Sequence, residues 1–154
     1  MEKQETGKDE GAARYFKDGF NCSQSVLTVF AEEYGLSRES ALKVAAGFGG
    51  GLGRLGETCG AVSGALMVIG LKHGTVRADD KESRQKTYDL VKEFVRRFKE
   101  LNQTILCREL LECDLSTPEG FKRAIEQKLI ATRCPKFVSD AAALVDMILA
   151  EERA

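Results

Sequence analysis

Apolar residues recur along most of the chain at three- and four-residue steps, which is the spacing of an amphipathic helix. The clearest case is the segment 79–101, where an apolar stripe lies opposite a strongly charged face. The stripe consists of Tyr88, Val91, Phe94, Val95, Phe98 and Leu101. No run of alternating β-branched residues indicates a strand. The pattern therefore predicts an all-α fold, and we interpret the apolar stripes as core packing.

Start and stop signals divide this pattern into a single-domain bundle of about six to seven helices with a glycine-rich loop. Asn21, Ser37 and Thr104 are predicted N-caps, and Thr117 is followed by an N1 proline and a first-turn acid. The predicted helices with two bounds are 10–17, 21–35, 59–72, 79–101 and 104–111, of which the first ends before Gly19 and the third before Gly74. A further helix follows Ser37 and has Leu42, Val44 and Ala45 on its apolar face. The last helix begins at Cys134-Pro135, and its apolar face consists of Phe137, Ala141, Leu144, Val145 and Ile148.

Length and composition indicate one globular domain over 10–154, preceded by a polar tail, 1–9, that we expect to be disordered. Lys and Arg (23) nearly balance Asp and Glu (24), and no recognition motif is present, so nucleic acid is not an expected partner. The N-terminus lacks a secretory signal, and no apolar run approaches the roughly 20 residues that span a bilayer. These features predict a cytoplasmic protein without membrane insertion.

The chain has five cysteines, and the cytoplasm normally keeps thiols reduced. They are therefore better interpreted as ligands or redox groups than as structural disulfides. Four of them fall in the first turn of a predicted helix, where the helix N-terminus stabilises an anion and lowers a thiol pKa: Cys22, Cys59, Cys107 and Cys134. Cys113 lies beyond the short helix and ranks below them. With no CxxC motif, the fold must assemble any site, and spacing alone equally allows scattered core cysteines.

The glycine-rich stretch 47–60 contains the spacing GxGxxG from Gly51 to Gly56. A dinucleotide-binding loop must follow a strand, but the preceding segment is predicted to be helical, so we reject nucleotide binding. Glycines still allow the backbone to approach another group closely. The loop leads to Cys59 and could place its amides around a sulfur cluster or an anionic ligand. The candidate cofactor-binding residues are Gly49, Gly50, Gly51 and Gly60.

The remaining polar candidates are weaker. Arg54 and Glu57, the charged residues of the loop, are expected to face solvent. His73, the only histidine, lies at a predicted helix end where it can bond free carbonyls. Nothing in the sequence places it near a cysteine.

Three sequence runs resemble the redox-active family known as C_GCAxxG_C_C. They are Gly19-Phe20-Asn21-Cys22-Ser23-Gln24-Ser25-Val26-Leu27, Gly47-Phe48-Gly49-Gly50-Gly51 and Cys59-Gly60-Ala61-Val62-Ser63-Gly64. Cys107-Arg108-Glu109-Leu110-Leu111 and Cys134 fall where the family's remaining cysteines are expected. Thr58-Cys59-Gly60-Ala61 departs from the Gly-Cys-Ala order of the family name. Cys113 has no place in the pattern.

The resemblance implies a redox site on Cys22, Cys59, Cys107 and Cys134, and it favours this site over scattered core cysteines. The first hypothesis is an iron–sulfur cluster or other metal used for electron transfer or redox sensing. The second is a metal-free dithiol–disulfide protein using, for instance, Cys22 and Cys59, whose Cα atoms would have to lie within about 7 Å. The third is a structural zinc or binding module without redox chemistry.

The expected partner is a redox protein or an oxidoreductase or transporter system, because family members tend to be encoded near such functions. A homodimer is a further expectation, by analogy with other helical bundles. Whether the protein is itself an enzyme stays open at this point.

Overall fold

A computed structural model describes residues 6–152, which contain eight helices and no strand and confirm the all-α single domain. The helices are α1 (Lys8–Lys17), α2 (Cys22–Ala31), α3 (Arg38–Ala45), α4 (Gly60–His73), α5 (Lys81–Asn102), α6 (Cys107–Leu110), α7 (Pro118–Glu126) and α8 (Leu129–Glu151). Short 3-10 turns follow α2 and α3. The segment Gly49–Leu52 makes a helix-like turn, but Gly50 and Gly51 have φ of 68°, so it belongs to the glycine-rich loop.

Helices α2 and α4 form the centre of the bundle. Most side chains of α2 are buried, including Val26, Leu27 and Phe30. Helix α4 is largely apolar, and seven of its 14 residues are buried. A Cβ built on Gly64 would lie 2.8 Å from the carbonyl oxygen of Ser23, so the two helices cross at very short distance. Helices α1, α3, α5 and α8 pack around this pair.

Local capping signals set most helix boundaries as predicted. The side chains of Asn21, Ser37 and Thr117 each accept a hydrogen bond from a backbone N–H in the first turn of the following helix. Helix α1 begins at Lys8, earlier than the predicted boundary, so Lys8 and Asp9 of the expected polar tail are helical. Residues 1–5 of that tail lie outside the described residues.

The predicted start of the last helix is wrong. Helix α8 begins at Leu129, directly after Lys128, whose left-handed backbone (φ 53°) separates it from α7. Cys134 and Pro135 therefore lie in its second turn. A proline at this depth removes one backbone N–H and leaves one carbonyl without its helical donor. Pro135 favours a helix start at its own position, but burial of the apolar face of α8, which begins with Leu129, outweighs this local preference.

Two predicted apolar faces are only partly buried. In α5, Phe94 and Phe98 are fully buried, but Tyr88 and Leu101 are more than half exposed. In α3 the buried residues are Ala41 and Ala45, whereas Leu42 is half-buried and Val44 is exposed. Both helices lie at the periphery of the bundle, so each buries a narrower strip than its sequence offers.

The short helix α6 begins at Cys107, three residues after the predicted cap Thr104. The hydroxyl oxygen of Thr104 accepts a hydrogen bond from the backbone N–H of Leu106, in a turn that precedes the helix.

No helix within residues 6–152 is both long enough and apolar enough to cross a bilayer.

Candidate functional site

Four cysteines from four separate segments line one cavity of about 730 Å³. Cys22 is the first residue of α2, Cys59 caps α4, Cys107 begins α6, and Cys134 lies inside α8. All four side chains are buried, and none forms a disulfide. The same cavity is lined by the predicted cofactor-binding glycines Gly49, Gly50, Gly51 and Gly60. The fold thus brings together all eight residues that the sequence analysis selected.

A capping box places Cys22 at the start of α2. The Asn21 side chain accepts a hydrogen bond from the backbone N–H of Gln24, and the Gln24 side chain accepts one from the backbone N–H of Asn21, both at 3.0 Å. This reciprocal pair satisfies two backbone donors that the helix start leaves free. Both residues are visible in the sequence as capping signals.

Polar side chains beside Cys22 also tie α2 to the end of α3. The hydroxyl of Ser23, which is fully buried, and the side-chain amides of Asn21 and Gln24 each donate to a backbone carbonyl of that region. The acceptors are, in the same order, the carbonyls of Ala45, Ala46 and Leu42, at 2.7, 3.0 and 3.0 Å. Local sequence patterns do not reveal these positioning roles, because the acceptors are about twenty residues away.

A short antiparallel bridge holds Cys59 next to Cys107. The backbone N–H of Cys59 donates to the carbonyl of Ile105 at 2.7 Å, and the N–H of Cys107 donates to the carbonyl of Glu57 at 2.7 Å. These two bonds join the end of the glycine-rich loop to the segment that begins α6. The bridge therefore brings two of the four thiols to neighbouring positions.

Two of the predicted glycines are required by this close packing. Gly51 has φ of 68°, and a Cβ built on it would lie 2.6 Å from both the Cβ of Cys107 and the backbone nitrogen of Glu57. A Cβ on Gly60 would lie 3.2 Å from the Cβ of Cys22. Real Cβ atoms do not approach so closely without displacing a neighbour. The glycines therefore let the cysteine-bearing segments meet.

The thiols of Cys22 and Cys134 interact directly. Cys22 donates a hydrogen bond to the sulfur of Cys134, which raises the pKa of Cys22, and burial and the nearby cysteines raise it further. The same hydrogen bond lowers the pKa of Cys134 from its ordinary value, against the effect of burial. The two pKa values move in opposite directions because one thiol is the donor and the other the acceptor of the same contact.

Burial governs the other two thiols. It raises the pKa of Cys59 to about 11, although hydrogen bonds from the backbone N–H groups of Val62 and Ala61 oppose this shift. It raises the pKa of Cys107 to about 12, and the neighbouring Cys59 adds to the effect. The expected lowering by a helix start is present at Cys59 but smaller than the cost of desolvating a thiolate. Cys134, whose pKa is lowered, is not at a helix start.

The remaining cysteine and the histidine lie elsewhere. Cys113 is buried outside the cavity lining, and its thiol donates to the carbonyl of Gly120 at 3.0 Å. His73 lies at the opposite end of α4 from Cys59, roughly 20 Å away along a helix of this length. Its Nε2 atom lies against a carboxylate oxygen of Glu152.

Both charged residues of the loop are exposed, as expected. Arg54 lies at the rim of the cavity with its guanidinium 4.4 Å from the ring centroid of Phe121. Glu57 forms an exposed ion pair with Arg108 at 3.1 Å.

The arrangement does not suit a single metal ion. Among residues 6–152, no three Cys, His, Asp or Glu side chains are grouped so that they could hold one ion. A closed structural zinc site needs four ligands directed at a single centre. The geometry therefore does not favour the zinc module considered above.

The fold and the cavity define a helical protein built around four converging cysteines. The chain matches the model of the family described as "Putative redox-active protein (C_GCAxxG_C_C)" over residues 20–148, and it therefore belongs to this family. No protein of curated function and no solved structure matches it.

Replacing Gly51 by Ala tests the close packing at the cysteine cavity. We expect Gly51→Ala to lower the free energy of unfolding by about 3 kcal/mol, from left-handed strain and overpacking against Cys107. Gly53→Ala is the matched control, because Gly53 has φ of 56° but its Cβ would meet nothing nearer than 3.9 Å. It should lose only about 1 kcal/mol. Urea denaturation followed by circular dichroism measures both, and equal losses would contradict the packing argument.

The pKa shifts predict the order in which the thiols react. In reduced protein, alkylation of Cys134 should reach its plateau at the lowest pH, because its pKa is lowered. The rates at Cys59 and Cys107 should still rise about tenfold per pH unit at about pH 10, since only the thiolate reacts and their pKa values lie higher. Peptide mass spectrometry after iodoacetamide pulses gives each profile. Urea-unfolded protein is the reference, because its thiols should share one pH profile of alkylation. If the thiols of the native protein also share one profile, the cavity does not shift their pKa values differently.

Proposed function

We propose that this protein is an electron-transfer or redox-sensing protein that holds an iron–sulfur cluster on Cys22, Cys59, Cys107 and Cys134. The observation that carries the proposal is the convergence of these four buried thiols on one cavity. Four thiolates are the usual ligand set of such clusters. The irons of a cluster share the ligands between them, so the sulfurs need not converge on one point as they must around a single ion.

The residues around the cavity suit this role. The backbone N–H groups of Ala61 and Val62 donate to the sulfur of Cys59, and such hydrogen bonds tune the reduction potential of a cluster bound through that sulfur. Apolar side chains, among them Leu111 and Phe137, form much of the wall around the sulfurs. A bound cluster would supply one-electron transfer, and the protein would set its potential.

Binding a metal through these thiols requires the loss of their protons. Because burial raises the pKa of Cys59 to about 11 and that of Cys107 to about 12, loading at neutral pH releases protons from both. Loading is therefore favoured as the pH rises toward those values. Cys134, with its lowered pKa, offers its thiolate more readily.

The proposed setting follows from the family and the sequence. A redox protein, or an oxidoreductase or transporter system, would exchange electrons with the site, which would operate in the cytoplasm. A homodimer is compatible with this role. The charge balance provides no basis for a nucleic-acid partner.

Anaerobic purification followed at once by metal analysis and visible spectroscopy tests the proposal. We expect iron with acid-labile sulfide and a brown chromophore that reductant bleaches. Replacing any one of the four cavity cysteines by Ser should lower the iron content at least several-fold, because one ligand is lost. Cys113→Ser is the matched control and should load normally, since Cys113 lies outside the cavity lining. Stoichiometric zinc without iron, or equal loss in Cys113→Ser, would contradict the proposal.

The contact between Cys22 and Cys134 favours a second candidate function, thiol–disulfide exchange without metal. The two thiols would lose two protons and two electrons as the S–S bond forms, and the disulfide of a partner would accept both and become a dithiol. Cys134 carries the thiolate that attacks, because its pKa is lowered. Cys22 with Cys59 is the pair expected from sequence, but the hydrogen bond between the two thiols favours Cys22 with Cys134.

Oxidation of metal-free protein by oxidised glutathione tests this second candidate. Peptide mapping after blocking the free thiols should find a Cys22–Cys134 disulfide that dithiothreitol reverses. The cross-link should persist in Cys59→Ser and disappear in Cys134→Ser. A cross-link to Cys59 instead, or five thiols that all stay free, would reject the pair.

A further inference from the structure

The cavity is larger than four thiols alone require. Its volume of about 730 Å³ falls within the roughly 300–1,000 Å³ typical of pockets for small molecules. The wall is mostly apolar and includes Phe16, Phe20 and Leu115. Arg54 and Lys128 also line the cavity and are exposed, and we call them its rim residues.

These two rim residues are the only Lys, Arg, Asp or Glu residues that line the cavity in the described part of the chain, and both are cations. Neither forms an ion pair with a carboxylate of residues 6–152, whereas the nearby Arg108 and Arg133 each do. An apolar cavity whose rim carries two unpaired cations attracts a molecule that has an apolar body and an anionic end.

The backbone at both rim residues is strained. Arg54 has φ of 69° and Lys128 has φ of 53°, a left-handed conformation that residues with a Cβ rarely adopt. Strain of this kind concentrates at ligand sites. Lys128 lies at the junction between α7 and α8, and the ring of Phe121 lies beside the Arg54 guanidinium.

We infer that the cavity binds a small organic carboxylate, with its apolar part against the wall and its carboxylate toward the rim cations Arg54 and Lys128. The bound molecule lies beside the four thiols, since the same cavity contains both. This binding site goes beyond the proposed redox function, and its occupation requires no metal.

Calorimetry on the reduced, metal-free full chain tests the inference with 4-phenylbutyrate and its neutral counterpart 4-phenylbutan-1-ol. We expect the carboxylate to bind about tenfold more tightly, as a charge-assisted contact provides. Arg54→Gln and Lys128→Gln should each weaken carboxylate binding about fivefold and leave alcohol binding unchanged. Lys122→Gln is the matched control, because Lys122 is an exposed cation of α7 that does not line the cavity.

Amide chemical shifts then locate the bound carboxylate. Shifts confined to cavity residues such as Gly50 and Leu111 support the inference. It is overturned if the carboxylate does not bind at millimolar concentration, if the alcohol binds equally well, or if Lys122→Gln weakens binding as much as the rim variants. The calorimetry uses metal-free protein, so a negative result would reject the carboxylate site and would not bear on the iron–sulfur proposal. In the same way, a negative iron analysis would not bear on the carboxylate site.

Discussion

The close approach of α2 and α4 is the constraint on which the cysteine cavity depends. Gly60 and Gly64 let the start of α4 pack directly on the first turn of α2, where a Cβ on Gly60 would lie 3.1 Å from the backbone nitrogen of Ser23. With the two helix starts side by side, Cys22 and Cys59 enter the same space. The position of α4 also sets the end of the glycine-rich loop, which pairs with the segment before α6 and brings in Cys107.

The balance between burial and local hydrogen bonding decides what chemistry these thiols can support. At Cys59 two backbone amides stabilise the thiolate, yet burial raises the pKa to about 11. A reactive cysteine that works as a free nucleophile needs the opposite balance. A buried thiol gains most when a metal or an S–S bond removes the need to carry a bare charge. The electrostatics thus suit ligand or disulfide chemistry better than nucleophilic catalysis at Cys59 and Cys107.

Much of the fold could be predicted from the sequence because its signals are local. A cap such as Asn21 or Thr117 acts within one turn, so helix starts there follow from a few neighbouring residues. The predictions that were wrong are those that depend on tertiary packing. Pro135 favours a helix start, but α8 begins earlier, at Leu129, because Leu129 is buried in the bundle. Tyr88 fits the apolar stripe of α5 and is still exposed, because the bundle does not cover that part of the helix.

The same distinction between local signals and tertiary packing applies to the candidate site. Its four cysteines and four glycines could be selected from helix starts, loop composition and family resemblance, and all eight line one cavity. Their partners could not be predicted. Cys134 meets Cys22 only through the packing of α8, and Lys128 reaches the rim through a backbone turn that no local motif marks. Sequence therefore identified the cysteines and glycines that line this cavity, whereas the contact between Cys22 and Cys134 and the positive charge at the cavity rim arise from tertiary structure alone.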